Sequence, residues 1–222
     1  MKTKLTIYIG AFFILTGCAL FNPDVRYVPK ASDEYYFHSL SDDFKIEQSE
    51  CIEQKNFPCD FPEPNDSLSD FVNSWYSKHL KSLKEPILIN NTDNNLKVFR
   101  YTNLGSFSHP YTFRVEFKDS IVTINYKITK GLGGYKAGRL SKNNQKTLTI
   151  TDWDILTEKI DSINYWKMQT HDTNMMLDGE EWILEGLIGD KYHFVTRTSP
   201  GFFENKDYVM ICKFIAELYR KD

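Results

Sequence analysis

The chain has little cysteine, four residues in 222, and five scattered histidines, with neither a His-x-x-x-His nor a Gly-x-Ser-x-Gly stretch anywhere. Without that histidine pair on one helix face there is no zincin site, and without the elbow there is no α/β-hydrolase nucleophile. Basic charge is not in excess, at 27 Lys and Arg against 30 Asp and Glu. The absence of a basic tail or patch argues against nucleic acid as a partner. Fixed-period repeats and low-complexity tracts are also missing, which excludes solenoids and arrays.

One long apolar run is present, and it lies at the start. Lys2 and Lys4 precede Leu5–Leu15, interrupted only by Thr6, and Leu15-Thr16-Gly17-Cys18 follows. A positive start, an apolar stretch and small residues form the layout of a secretory signal peptide. Because a cysteine follows the small residues, Leu15-Thr16-Gly17-Cys18 resembles the lipobox of bacterial lipoproteins. The resemblance implies removal of residues 1–17 and acylation of Cys18. It places the chain in the bacterial cell envelope, held on a lipid bilayer by acyl chains whose buried CH₂ groups contribute about 0.8 kcal/mol each. The competing reading is an uncleaved membrane helix, since apolar character continues to Phe21, but Asn22-Pro23-Asp24 follows with no Lys or Arg cluster. Ala19, not Asp, after the cysteine resembles the pattern of lipoproteins sorted to the outer membrane.

Removing residues 1–17 takes away two lysines and leaves 25 basic against 30 acidic side chains, a net of −5. Residues 18–33, with Pro23 and Pro29, read as a lipidated tether, and residues 34–222 suffice for a single domain with a real core. Cys51 and Cys59 are close in sequence within an exported chain, so a disulfide is expected; it would contribute about 2.6 kcal/mol on the chain-entropy account. A metal pair there is poor, because no second ligand pair stands at ligand spacing. Cys212 falls on the apolar stripe of a helix and reads as a buried, inert thiol.

Tyr35-Tyr36-Phe37 and Phe44-Lys45-Ile46 could form short strands, and prolines 58, 62 and 64 keep the next stretch extended or turning. The spacing of Leu68, Phe71, Val72, Trp75, Tyr76, His79, Leu80 and Leu83 predicts a helix with one broad apolar face, started near Ser67–Asp70 and closed by Pro86. His79 on that face reads as a core histidine. Alternation predicts strands at Leu96–Asn103, Tyr111–Lys118 and Ile121–Lys130, half-buried with a polar face out, and a fourth near Lys146–Ile150. The loop Gly131-Leu-Gly-Gly-Tyr-Lys-Ala-Gly138 lacks a P-loop ending and a following helix, so its glycines read as a connection needing positive φ.

Thr151 is the expected N-cap of a helix carrying Trp153, Leu156, Ile160 and Ile163. After an irregular stretch, Glu180–Ile188, the turn Gly189-Asp190 and Lys191–Thr198 read as a hairpin with a type II′ turn. That register opposes Trp182 to Arg197, Gly186 to His193 and Glu185 to Phe194, with a Trp182–Arg197 cation–π contact. A last helix from Lys206 to Arg220, with Asn205 as cap, is apolar almost all round.

The carboxylates Asp178, Glu180, Glu181 and Glu185 cluster in sequence. Strand alternation sends Glu180 and Glu181 to opposite faces, so the cluster reads as a solvated strand edge. Trp182, Glu185, His193 and Arg197 are the candidate binding residues; Glu185 in partly apolar surroundings is the candidate acid, although it faces away from His193 and Arg197. No residue is assigned a catalytic or metal-binding role, and no cofactor is implied.

Gly131–Tyr135, the Trp153 helix, Asp178–Gly186 and Tyr192-His193-Phe194 are similar to a group of exported bacterial proteins. The resemblance covers the last 120–130 residues and implies one recurring fold without an assigned activity. The fold expected is α+β, an antiparallel sheet of about six strands packed against about three helices. The expected function is a non-catalytic envelope module that binds a protein or glycan through exposed aromatics, with an inhibitor or immunity lipoprotein as a special case. The alternatives are a metal-independent hydrolase of envelope polymer and a structural brace.

Overall fold

The computed structural model describes residues 35–53, 64–172, 174, 176–203 and 205–221. Its centre is one antiparallel six-stranded sheet in the order β4-β3-β2-β1-β5-β6. The strands are β1 (Lys97–Gly105), β2 (Tyr111–Lys118), β3 (Ile121–Thr129), β4 (Leu140–Leu148), β5 (Glu180–Ile188) and β6 (Lys191–Thr198). Four helices accompany it: α1 (Asp42–Glu53), α2 (Asp70–Ser82), α3 (Ile150–Ser162) and α4 (Lys206–Arg220), with a 3₁₀ turn at Tyr165–Lys167. The fold is therefore α+β as expected, with four helices where about three were anticipated.

The additional helix is α1. Phe44-Lys45-Ile46 lies inside it and not in a strand; acidic residues at its first turn suit the helix dipole, and none of its side chains is buried. It has no apolar stripe at helical spacing, the feature that makes a helix legible in sequence.

One face of the sheet presents Phe99, Tyr101, Phe113, Val115, Ile124, Leu184 and Val195 to Trp153, Leu156 and Ile160 of α3 and to Tyr208, Ile211, Cys212 and Ile215 of α4. Cys212 is a free, buried thiol whose pKa burial pushes up, as its place on the α4 stripe predicts. The other face was expected to be open to water. Instead it is covered by Tyr36 and Phe37 and by Tyr76 and Leu80 of α2, which pack on Leu104, Ile183 and Phe194. Its polar side chains are buried with it: Arg100, Thr102 and Thr112 have no exposure, and Lys127 has almost none. They are tolerated because each has a partner. Arg100 grips Glu185 with Nε and Nη2, both at 2.6 Å, and Thr102 donates to Thr112 at 3.1 Å.

Helix ends explain two shifts from the expected boundaries. α2 starts at Asp70, two residues past Leu68, with Ser69 as N-cap accepting from the Val72 amide. α3 is capped by Thr149, not Thr151: Thr149 and Asp152 bond reciprocally in a capping box, which needs the three-residue spacing that Thr151 cannot offer to Asp152. α4 has Asn205 at its N-cap, with no side-chain cap bond. Its outer side stays open, and Met210 is exposed.

Candidate functional site

At the end of the sheet where β1 and β6 finish and β5 begins, a cleft of about 290 Å³ opens. Trp75 of α2, Leu104 of β1, Ser106, the loop residues Asn174, Met176, Leu177 and Gly179, Glu180 and Glu181 of β5, and Thr198 of β6 line it. Short backbone links fix these segments together. The Ser106 amide donates to the Gly179 carbonyl at 2.9 Å, and the Ser199 amide donates to the Glu180 carbonyl at 2.7 Å.

The glycine loop supports the same end. The Gly133 amide bonds to the carbonyls of Gly105 and Ser108, and Trp75 Nε1 donates to the Gly133 carbonyl at 2.7 Å. A Cβ on Gly133 would lie 2.4 Å from the backbone of Leu104. Only Gly138 of the four loop glycines has positive φ. The expected need for positive φ thus holds at one position, whereas Gly131 and Gly133 are required by close backbone approach. His79, buried behind this loop, is held neutral: burial pushes its pKa down to about 3.

Glu180 and Glu181, the first two residues of β5, both line the cleft although strand alternation sends them to different faces. Glu180 accepts from Asn103 Nδ2 at 2.8 Å. Glu181 is only 7% exposed and accepts from Thr198 Oγ1 at 2.8 Å. Burial pushes the Glu181 pKa up to about 7, helped by the charge of Asp172 and opposed by the hydroxyls of Thr198, Tyr76 and Thr196. The solvated-edge reading of this cluster is therefore corrected at Glu181, since Trp75 and Tyr76 of α2, with Asp172 and Met176, stand against the start of β5. Beside the cleft, Phe107 (63% exposed) and Tyr135 (53%) lie ring to ring at 5.9 Å, and Leu177 is 94% exposed.

The four residues singled out in sequence sit elsewhere, and all are buried. The hairpin register is the expected one, residue for residue, including Trp182 opposite Arg197. Trp182 packs in the apolar core. The Arg197 guanidinium lies over Tyr208 at 5.8 Å and donates to the carbonyls of Gln169, Thr170 and Thr196, so its cation–π partner is on α4 and not across the strand. His193 Nδ1 is 2.5 Å from Asp66, whose carboxyl that contact holds below its ordinary pKa despite partial burial. Glu185 is neutralised by Arg100 and accepts from the Tyr192 hydroxyl at 3.0 Å. As expected, it faces away from His193 and Arg197. These four build the interior, and the cleft does not include them.

Comparison with known protein families and with curated proteins finds no match. The cleft must speak for itself. Among the described residues, no group of three or more His, Cys, Asp and Glu stands as a metal cluster, and no helix is long and apolar enough to cross a membrane. Cys18, the signal segment and Cys59 lie outside the described residues, and so does the expected bridge from Cys51. Sequence reasoning missed Glu181 because its environment depends on which residues cover it. Trp75 was assigned to the helix face but not to a site.

Proposed function

We propose that the chain is a bacterial envelope lipoprotein, held on a bilayer through lipidated Cys18, probing its surroundings with one end of its sheet. Residues 1–17 are the leader, residues 18–33 the tether, and the Cys51–Cys59 bridge belongs to the same exported setting. The domain binds a protein or glycan partner and carries out no catalysis. The observation that carries this reading is the cleft of Trp75, Leu104, Glu180 and Glu181 with the exposed Phe107 and Tyr135 rings at its side. Exposed aromatics beside a concave, partly apolar site are what binding surfaces concentrate, because they bury much area at small entropic cost.

Two measurements test it. Labelled palmitate should enter the chain in cells and fail to enter a Cys18→Ala chain; incorporation that survives the substitution removes the anchor. The full chain in detergent micelles should retain envelope polymer or an envelope protein. Phe107→Ala together with Tyr135→Ala should weaken retention by about tenfold or more, the loss expected when anchoring rings are truncated. Unchanged retention would place binding elsewhere. A partner that is itself a lytic enzyme or toxin would identify the inhibitor or immunity case.

A second reading, metal-independent hydrolysis of envelope polymer, is favoured by one observation: a buried Glu181 carboxyl poised near neutrality inside a cleft, as general acids are. Polymer turnover by the wild type that disappears in Glu181→Gln would establish it in place of pure binding.

A further inference from the structure

Four carboxyl side chains are buried among the described residues, and three of them face a cation. Glu85 has Arg100 at 3.3 Å, Arg114 at 2.9 Å and Lys127 at 2.7 Å. Glu185 has Arg100 at 2.6 Å, and Asp152 has Lys221 at 2.7 Å. Glu181 has hydroxyls only. Thr198 of β6 donates to it, Tyr76 of α2 and Thr196 of β6 stand beside it, and the other charge facing it, Asp172 of the loop, is negative. Glu180, its neighbour on β5, has a neutral partner in Asn103. Arg197, next to Thr198 on β6, is turned to the opposite face and held by three carbonyls, and its Nε lies 3.8 Å from Asp172, so the nearest cation is engaged by that carboxylate and not by Glu181.

Among the described residues the cleft therefore presents two carboxyl groups and no basic side chain, between walls of Trp75, Leu104, Met176 and Leu177. Its volume, about 290 Å³, is at the small end of ligand pockets and suits one side chain better than a polymer segment. We propose that this cleft receives a primary ammonium on an aliphatic stem, the chemistry of a lysine side chain on a protein partner. Glu180 and Glu181 meet the ammonium, and Trp75, Leu104, Met176 and Leu177 lie along the stem. The inference rests on the reading that this end of the sheet is the binding surface, and it names what enters. A cation beside Glu181 favours its ionised form, so binding releases a proton when Glu181 starts protonated and strengthens as pH rises through about 7.

The test is calorimetric titration of the full chain in detergent micelles with a capped Gly-Lys-Gly peptide, at about pH 6 and about pH 8. Its Nε-acetylated form and glucosamine, an amine without a stem, serve as the other probes. The lysine peptide should bind at least about fivefold more tightly at the higher pH, with proton release, and acetylation should weaken it by about tenfold or more. Glu181→Gln should remove the pH dependence, and circular dichroism should show it folded. Absence of binding by the folded wild type, equal binding of the acetylated peptide, tighter binding of glucosamine, or pH dependence persisting in Glu181→Gln would each overturn the assignment. Retention of a partner through Phe107 and Tyr135 alongside an empty cleft would defeat this inference alone and leave the binding function standing.

Discussion

Glu85, Glu181 and Glu185 share one side chain and nearly one degree of burial, yet they are held in different ways. Removal from water raises the pKa of any carboxyl, and only a nearby cation or strong donors reverse that. At Glu85 burial is outweighed by Arg100, Arg114 and Lys127, and the pKa falls below its ordinary value. At Glu181 nothing positive opposes burial, and the value rises to about 7. A raised carboxyl favours the folded state fully below its unfolded pKa, near 4.5, and loses that contribution as pH rises through about 7. Wild type should therefore lose stability between about pH 5 and pH 8 relative to Glu181→Gln, by on the order of 2–3 kcal/mol. Urea unfolding of both chains at the two pH values checks this. Parallel curves would mean that Glu181 is already ionised in the fold.

At the scale of elements, the parts legible in sequence were those whose residues alternate or recur strongly. The β5–β6 register followed from one two-residue turn, and Gly189 indeed has positive φ (+62). α2, α3 and α4 announced themselves by apolar spacing. β4 was caught only at its end: it begins at Leu140, and residues 141–147 are polar and exposed, so no alternation marks them. Such a polar edge strand discourages pairing with another sheet. The turn between β2 and β3 carries a further, testable cost. Asp119 (φ +50) and Ser120 (φ +64) both occupy the left-handed region, the arrangement of a type I′ turn, which favours glycine second. Ser120→Gly should relieve about 1 kcal/mol of backbone strain. Thermal unfolding should then shift up by roughly 2–4 °C, as that energy does in a domain of this size. An unchanged or lower midpoint would show that the serine is not strained there.

At the scale of the whole molecule, the sheet's two faces are closed by different physics. The α3 and α4 layer is held by an apolar core that composition and periodicity make predictable. The opposite layer, residues 36–40 and α2, adds to its apolar contacts a charge cluster that sequence could not reveal, since its members come from five separated segments. α2 ends in a Schellman turn, with the Glu85 amide on the Leu80 carbonyl and the Lys84 amide on the Lys81 carbonyl. That turn places Glu85 against one cation from each of three adjacent strands: Arg100 on β1, Arg114 on β2 and Lys127 on β3. Lys127 also donates to the Lys84 carbonyl at 2.6 Å, and Arg100 donates to the Pro86 carbonyl at 2.7 Å, so the cations grip backbone as well as carboxylate. Removing one member leaves buried charge uncompensated, which costs about 3–5 kcal/mol. Glu85→Gln should therefore lower stability by that order near neutral pH. The deficit should shrink as acid protonates Glu85 in the wild type, because a depressed carboxyl contributes above its unfolded pKa and loses that contribution as pH falls. Native-state hydrogen exchange should localise the damage: amides of α2 should open far more readily, while those of α3 and α4, packed on the other face, should follow only global unfolding. Uniform loss of protection across both layers would mean that the two faces fold as one cooperative unit and that Glu85 does not hold α2 separately.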